Sequence, residues 1–280
     1  MNIEPTRVNG SPAFKLTGAH GAEATILLHG GHVISWKPDG VTERLYVSPK
    51  ADFSPGSAIR GGAPVCFPQF STNGPLPQHG FVRTMEWRQS PGTEINVGKV
   101  TLELDHNEET HRLWAHAFKV FIRMYLFDNR LKIVLFALNS GTEEFSFTAA
   151  LHTYLKVDDI GKAAVTGLKN LPYYDKPLNA RATETADKLV FDREIDRIYA
   201  TGSQSNHVVL SDGSGALKIS GEAMPDFVIW NPWVERSRAM ADLPDDAYRH
   251  FVCVESAVIN DPVILQPGET WKGVQNLEVV

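Results

Sequence analysis

The sequence predicts an all-β fold, a large antiparallel β-sandwich, and three observations carry that reading. Apolar residues recur at every second position in many short runs, the period of a strand. Turn residues separate those runs at even spacing. Helix signals are sparse across the 280 residues. A hydrophobic content of 42% is enough for a large core. At this length, two big sheets packed face to face as one domain spanning 1–280 accommodate all three observations.

The elements follow in chain order. ATILLHGGHVISWKP (24–38) and KVTLELDHN (99–107) are β-type runs. FKVFIRMYLF (118–127) alternates, Asp128 and Asn129 make a turn, and RLKIVLFALN (130–139) pairs back on it. SGTEE turns again and FSFTAALHTYLKV (145–157) returns, which predicts a three-strand meander. HVVLSD (207–212), ALKISG (216–221), DFVIWNP (226–232), HFVCVESAVI (250–259) and WKGVQNLEVV (271–280) complete the set. Helix is confined to one turn around Met240, before Pro244, and another near Leu113.

Composition narrows the function. The formal net charge of -6 argues against a general binder of nucleic acid or acidic membrane, because such proteins carry excess Lys and Arg. Two cysteines, Cys66 and Cys253, cannot build a disulfide framework and fit a reducing compartment. The N-terminal stretch lacks an apolar signal core, and no apolar run approaches the ~18 residues that span a bilayer. A soluble cytoplasmic protein, free of membrane or nucleic-acid partners and monomeric, is the expectation.

The densest polar chemistry lies in IRGGAPVCFPQF (59–70) and PQHGFVRT (77–84). Pro64, Pro68 and Pro77 keep helix interiors and central strands out, so these are loops mounted on a scaffold. Arg60 and Arg83 are candidates for gripping a dianion, since a guanidinium fork matches phosphate oxygens, and Gln78 adds a neutral donor. Two surface arginines with carboxylate neighbours would look the same. Gly61 and Gly62 make no nucleotide loop, because no strand–loop–helix unit or GxGxxG spacing surrounds them.

In FSFTAALHTYLKV, alternation puts Phe145, Phe147, Ala149, Leu151 and Leu155 on a core face, and His152 with Ala150 and Tyr154 on the other. His152 either lines a cleft or is a satisfied structural histidine. Glu255 sits in an apolar, β-branched run, where a carboxylate must be paired or have a raised pKa. A carboxylate tuned toward neutrality suits a general base, and a structural ion pair is the competing reading. The histidines of HGGH (29–32) lack a third ligand at metal spacing, and Cys66 reads as a small buried residue.

With these residues in view, the sequence resembles the glucose-6-phosphate 1-epimerases, a branch of the aldose 1-epimerase (galactose mutarotase-like) superfamily. The resemblance covers nearly the whole chain, with IRGGAPVCFPQF, QHGFVR, ALHTYL, EIDRIY, WNPW and FVCVES in family order. It implies a large antiparallel sandwich, no cofactor or metal, and a hexose 6-phosphate substrate. It implies His152 and Glu255 as the catalytic pair, with Arg60 and Arg83 on the phosphate. Gln78, His79 and Asp196 match further substrate-binding positions. Two other classes stay open on the residues alone. A glycoside hydrolase would use Glu255 and Asp196 as its carboxylates. A non-catalytic sugar-phosphate-binding protein would hold the ligand without exchanging its anomers.

Overall fold

The structure, a computed structural model, describes residues 2–91, 98–202 and 207–280. Among these residues the chain forms three antiparallel sheets. A back sheet of nine strands runs Lys188–Val190, Ala164–Thr166, His207–Ser211, Ala216–Glu222, Thr270–Val279, Arg130–Asn139, Phe118–Leu126, Lys99–Asp105, Arg88–Gln89. A front sheet of eight runs Ala180–Thr183, Pro172–Asp175, Ile195–Ala200, Asp226–Asn231, Phe251–Leu265, Phe145–Leu151, Val65–Cys66, with Tyr154–Lys156 also paired to Phe251–Leu265. Four N-terminal strands, Asn2–Val8, Ser11–Thr17, Glu23–Leu27 and Val33–Lys37, make the third.

Period-two patterning shapes the back sheet. Phe118–Leu126 buries every second residue without exception, so one face meets the core and the other meets solvent. Its hairpin partner follows through the predicted turn, with Leu126 opposite Leu131. The front sheet differs. Asp226–Asn231 and the first nine residues of Phe251–Leu265 are buried throughout, so both faces of its centre are covered. One face feeds the main core through Leu151, Val252, Val254, Val258 and Ile229, packed with Ile133, Leu135, Ile219 and Leu277 of the back sheet. The other face carries two smaller apolar clusters. Tyr154, Trp230, Phe251 and Cys253 belong to one, and Cys66, Ala150, Val228 and Ala257 to the second.

Two sequence-based expectations need correction. The three-strand meander does not form, because Phe145–Leu151 joins the front sheet while Arg130–Asn139 stays in the back sheet. Arg130–Asn139 already has Phe118–Leu126 on one edge and Thr270–Val279 on the other, leaving no place for a third partner. Asn139 turns the corner. Its side chain donates to the carbonyls of Glu143 and Leu265 and accepts from the Gly141 amide. The run 145–157 is also interrupted at His152 and Thr153, where the Thr153 amide turns back to the Leu151 carbonyl. The alternation of its side chains nevertheless holds. Helix occurs near both expected places, as Glu108–Leu113 and as Trp233–Ala239, which ends just before Met240.

Gly61 and Gly62 are required by their surroundings. Both have positive φ, and a Cβ on Gly62 would stand 2.4 Å from the Val33 carbonyl oxygen. Gly62→Ala should therefore cost at least about 2 kcal/mol, combining left-handed strain with overpacking. Gly10 has φ +85° but open space around it, so Gly10→Ala should cost only about 1 kcal/mol. Urea midpoints of the two variants check the contrast, and equal losses would contradict it.

Candidate active site

The site is laid out in rows across the cavity-side face of the front sheet. Register pairs Leu151 with Ser256 and Tyr154 with Cys253, which sets His152 directly opposite Glu255. Cross-strand neighbours lie close enough for their side chains to interact. The His152 Nε2 and the Glu255 Oε1 are 3.3 Å apart. Beside Glu255 in the same row lie Val228 and Ile198. The adjoining row runs Tyr154, Cys253, Trp230, Asp196.

Loops bring in the cations. Residues 62–66 run antiparallel beside 150–154, through Gly62 O to Tyr154 N, Pro64 O to His152 N, and the Cys66–Ala150 pairing. This leaves Arg60 at Tyr154, whose hydroxyl accepts from its Nη1 at 2.9 Å. Asp242 accepts from Arg60 Nε and pairs with Nη2, both at 3.0 Å. His32 holds the turn from below, with Nε2 2.7 Å from the Gly61 carbonyl. The second loop presents Gln78 and His79, then a short 3₁₀ turn Val82–Thr84 carries Arg83. Arg83 Nη2 donates to the Gln78 carbonyl, while its buried Nε has no hydrogen-bond partner among the described residues.

His79 has an assigned tautomer by its contacts. The Ser71 amide donates to Nδ1 at 3.3 Å, and the Cys66 sulfur lies 3.2 Å from the same atom. Burial pushes the Cys66 thiol well up, so it stays protonated and donates as well. Nδ1 therefore accepts, and Nε2 carries the proton. The ring stacks edge-on to His152 at 5.2 Å.

All seven residues that the sequence singled out, Arg60, Gln78, His79, Arg83, His152, Asp196 and Glu255, line one open cavity of about 580 Å³, mouth included. Lys176 and Arg236 line it too and were not anticipated. Lys176 Nζ is 2.9 Å from Asp196 Oδ2, donates to Ser71 Oγ at 3.3 Å, and lies over the Phe70 ring. Arg236 rides on Trp233–Ala239 and pairs loosely with Glu194 at 3.6 Å. That helix starts from Trp233 at φ 55°, with its amide held by Asn231 Oδ1, so WNPW is a launch point for the cavity rim. Asp242, the Arg60 partner, lies far along the chain. The local sequence gives no signal for it. Among the described residues no cluster of three His, Cys, Asp or Glu could hold a metal ion.

Burial dominates the electrostatics. Glu255, 1% exposed, is driven well above the usual carboxylate range by desolvation, with the Asp196 charge adding to it and Lys176 opposing. His152 is driven well below the usual imidazole range, first by desolvation and then by His79, Arg60 and Arg83. Both shifts favour the uncharged forms, a protonated carboxyl beside a neutral imidazole. Among the described residues Glu255 Oε2 and His152 Nδ1 have no hydrogen-bond partner, which leaves hydrogen-bonding capacity for a hydroxyl-rich ligand.

Comparison with known proteins identifies the family and the fold. Residues 12–278 match the family described as aldose 1-epimerase. A protein of Cenchrus ciliaris provisionally named glucose-6-phosphate 1-epimerase is 38% identical over 268 residues, covering 92% of this chain and 82% of its own. An Escherichia coli protein with the same provisional name is 35% identical, covering 85% and 81%. A solved structure from Salmonella typhimurium, YeaD, provisionally called a mutarotase, superimposes with a TM-score of 0.89. It is 30% identical and covers 99% of this chain and 93% of its own.

The histidines under the site set an acid limit. Burial holds His32 and His79 at a pKa of about 3, below the ordinary 6.5. Between those values the unfolded chain binds protons that the folded one excludes, so stability is intact above pH 6.5 and is lost as pH falls toward 3. His32→Gln should flatten the dependence of unfolding free energy on pH in that window by up to about 1.4 kcal/mol per pH unit. Urea titrations at pH 4 to 7 measure it, and an unchanged slope would rule out a buried neutral His32.

Proposed function

The chain belongs to the aldose 1-epimerase family and is an isomerase, and from there we propose that it interconverts the α and β anomers of D-glucose 6-phosphate. One observation carries the reading: an imidazole and a carboxyl opposed at 3.3 Å line a cavity shared with Arg60 and Arg83. Anomer exchange needs one proton removed from the O1 hydroxyl and one delivered to the ring oxygen O5. No electrons are gained or lost.

Glu255, as carboxylate, takes the O1 proton, and His152, protonated, gives one to O5. The resting pair holds the same number of protons, so this form arises by moving one proton from carboxyl to imidazole as sugar oxygens replace the missing partners. The C1–O5 bond breaks, the aldehyde rotates about C1–C2, and closure on the other face reverses both transfers. His79 Nε2–H and the Lys176–Asp196 pair meet the ring hydroxyls.

Arg60 and Arg83 take the phosphate. Of the five guanidinium N–H groups, Arg60 uses one on Nε and one on Nη2 for Asp242 and one on Nη1 for Tyr154, which leaves two to donate. Asp242 and Tyr154 thereby aim the fork. Binding energy from this remote group orients the reacting carbon. The hydrolase alternative is weaker, because its second carboxylate, Asp196, is committed to Lys176.

The deciding assay follows α-to-β exchange on glucose 6-phosphate, galactose 6-phosphate and free glucose. Acceleration on the phosphorylated sugars above the spontaneous rate is expected, and binding without acceleration would leave only a sugar-phosphate carrier. Glu255→Gln and His152→Asn should each lower kcat by about 10²–10⁴-fold; wild-type turnover in either removes that residue from the chemistry. Arg83→Ala should lower kcat/KM on glucose 6-phosphate by about tenfold more than on glucose. Equal losses on the two sugars would take the phosphate away from Arg83.

A further inference from the structure

Behind the His152–Glu255 pair, on the face turned away from the cavity, a single side chain joins the two strands. Gln275 lies on Thr270–Val279 of the back sheet and is fully buried. Its Oε1 accepts from Thr153 Oγ1 at 2.6 Å. Its Nε2 donates to the Val254 carbonyl and to Ser256 Oγ, each at 3.3 Å. Thr153 follows His152 in the chain, and Val254 and Ser256 bracket Glu255. One amide from the opposite sheet therefore touches the chain neighbours of both members of the pair.

The surroundings make this contact notable. Gln275 and its partners Thr153 and Ser256 are fully buried, and Leu277, two residues on along the strand, belongs to the main apolar core. A leucine or methionine would fill the space with no polar group to satisfy. Each side-chain hydrogen bond of Gln275 goes to the two strands that carry the pair. It also acts where those strands need it, since the strand formed by 145–151 is interrupted at His152 and Thr153. Opposite Gln275 in the ladder is Gly221, where a Cβ would stand 2.8 Å from the Met224 carbonyl oxygen.

We infer that Gln275 is a positioning residue: its amide fixes the separation of His152 and Glu255 from behind, and its loss lowers turnover at unchanged substrate affinity. The inference rests on the acid–base role given to that pair above. Satisfied polar groups in a core stabilise little over apolar ones of the same shape, so what they contribute here is register and spacing. Misplacement of reacting groups by about 1 Å costs on the order of 10²-fold in rate.

The test separates positioning from stability. In the triple variant Gln275→Met, Thr153→Val, Ser256→Ala no polar side chain is left stranded. It should melt within a few degrees of wild type, yet show kcat on glucose 6-phosphate about tenfold to a hundredfold lower, with KM within about twofold. A folded triple variant with wild-type kcat overturns the inference. Should the triple variant not fold, Thr153→Val alone decides, since it removes one hydroxyl. It should lose about threefold to tenfold in kcat, and Thr153→Ser should restore it; wild-type kcat in Thr153→Val overturns the inference equally. Glu255→Gln is assayed alongside. If it stays active, the acid–base reading has failed; if it is inactive while Thr153→Val and the triple variant are not, only the role of Gln275 has failed.

Discussion

A carboxyl and an imidazole placed opposite one another in a β-ladder form the constraint on which the rest of this molecule depends. Taking a carboxylate out of water is expensive, and a group 1% exposed between Cys253 and Ala257 has almost no water to call on. Burial accordingly pushes both groups toward their uncharged forms, the carboxyl protonated and the neighbouring ring neutral. A pair biased in this way differs from an ion pair by a single proton transfer. Register supplies this economically. A slip of one residue would turn Glu255 toward the main core and replace it with Val254 or Ser256.

The same logic explains the division of labour between strands and loops. Strands hold Glu255, Asp196 and Trp230, and His152 stands on the two-residue break between Phe145–Leu151 and Tyr154–Lys156, where the ladder pairs on either side fix its place. Loops hold the cations, Arg60 and Arg83. Those loops are not loose. Proline content, two glycines pressed against backbone, a buried histidine on the Gly61 carbonyl and the Asp242 carboxylate on Arg60 leave them little freedom. A protein of net charge -6 can thus carry a positive pocket, because four cations converge on one cavity.

Much of this was legible in the sequence where the signal is local. Alternation along 145–157 assigned the faces of His152 and Leu151 correctly even though the strand itself is interrupted. Glu255 announced itself by sitting in an apolar run. Contacts between distant segments were less accessible. Nothing near Arg60 points to Asp242, and nothing near Asp196 points to Lys176. Ile195–Ala200 went unread as a strand because it is buried at almost every position while containing Asp196 and Arg197, so neither polarity nor period marks it. The meander failed for a related reason: a turn such as SGTEE shows that the chain reverses, but not into which sheet. Only the occupancy of both edges of Arg130–Asn139 decides that.

The margins of the two large sheets have a consequence of their own. Among the described residues the outermost strands are Ala180–Thr183, Val65–Cys66, Lys188–Val190 and Arg88–Gln89, four residues at most. Long ladders such as Phe251–Leu265 are kept inside. An unpaired strand invites another chain to extend it, and brevity is one of the ways proteins refuse that invitation. Along these margins the two large sheets therefore offer other polypeptides little template for strand addition.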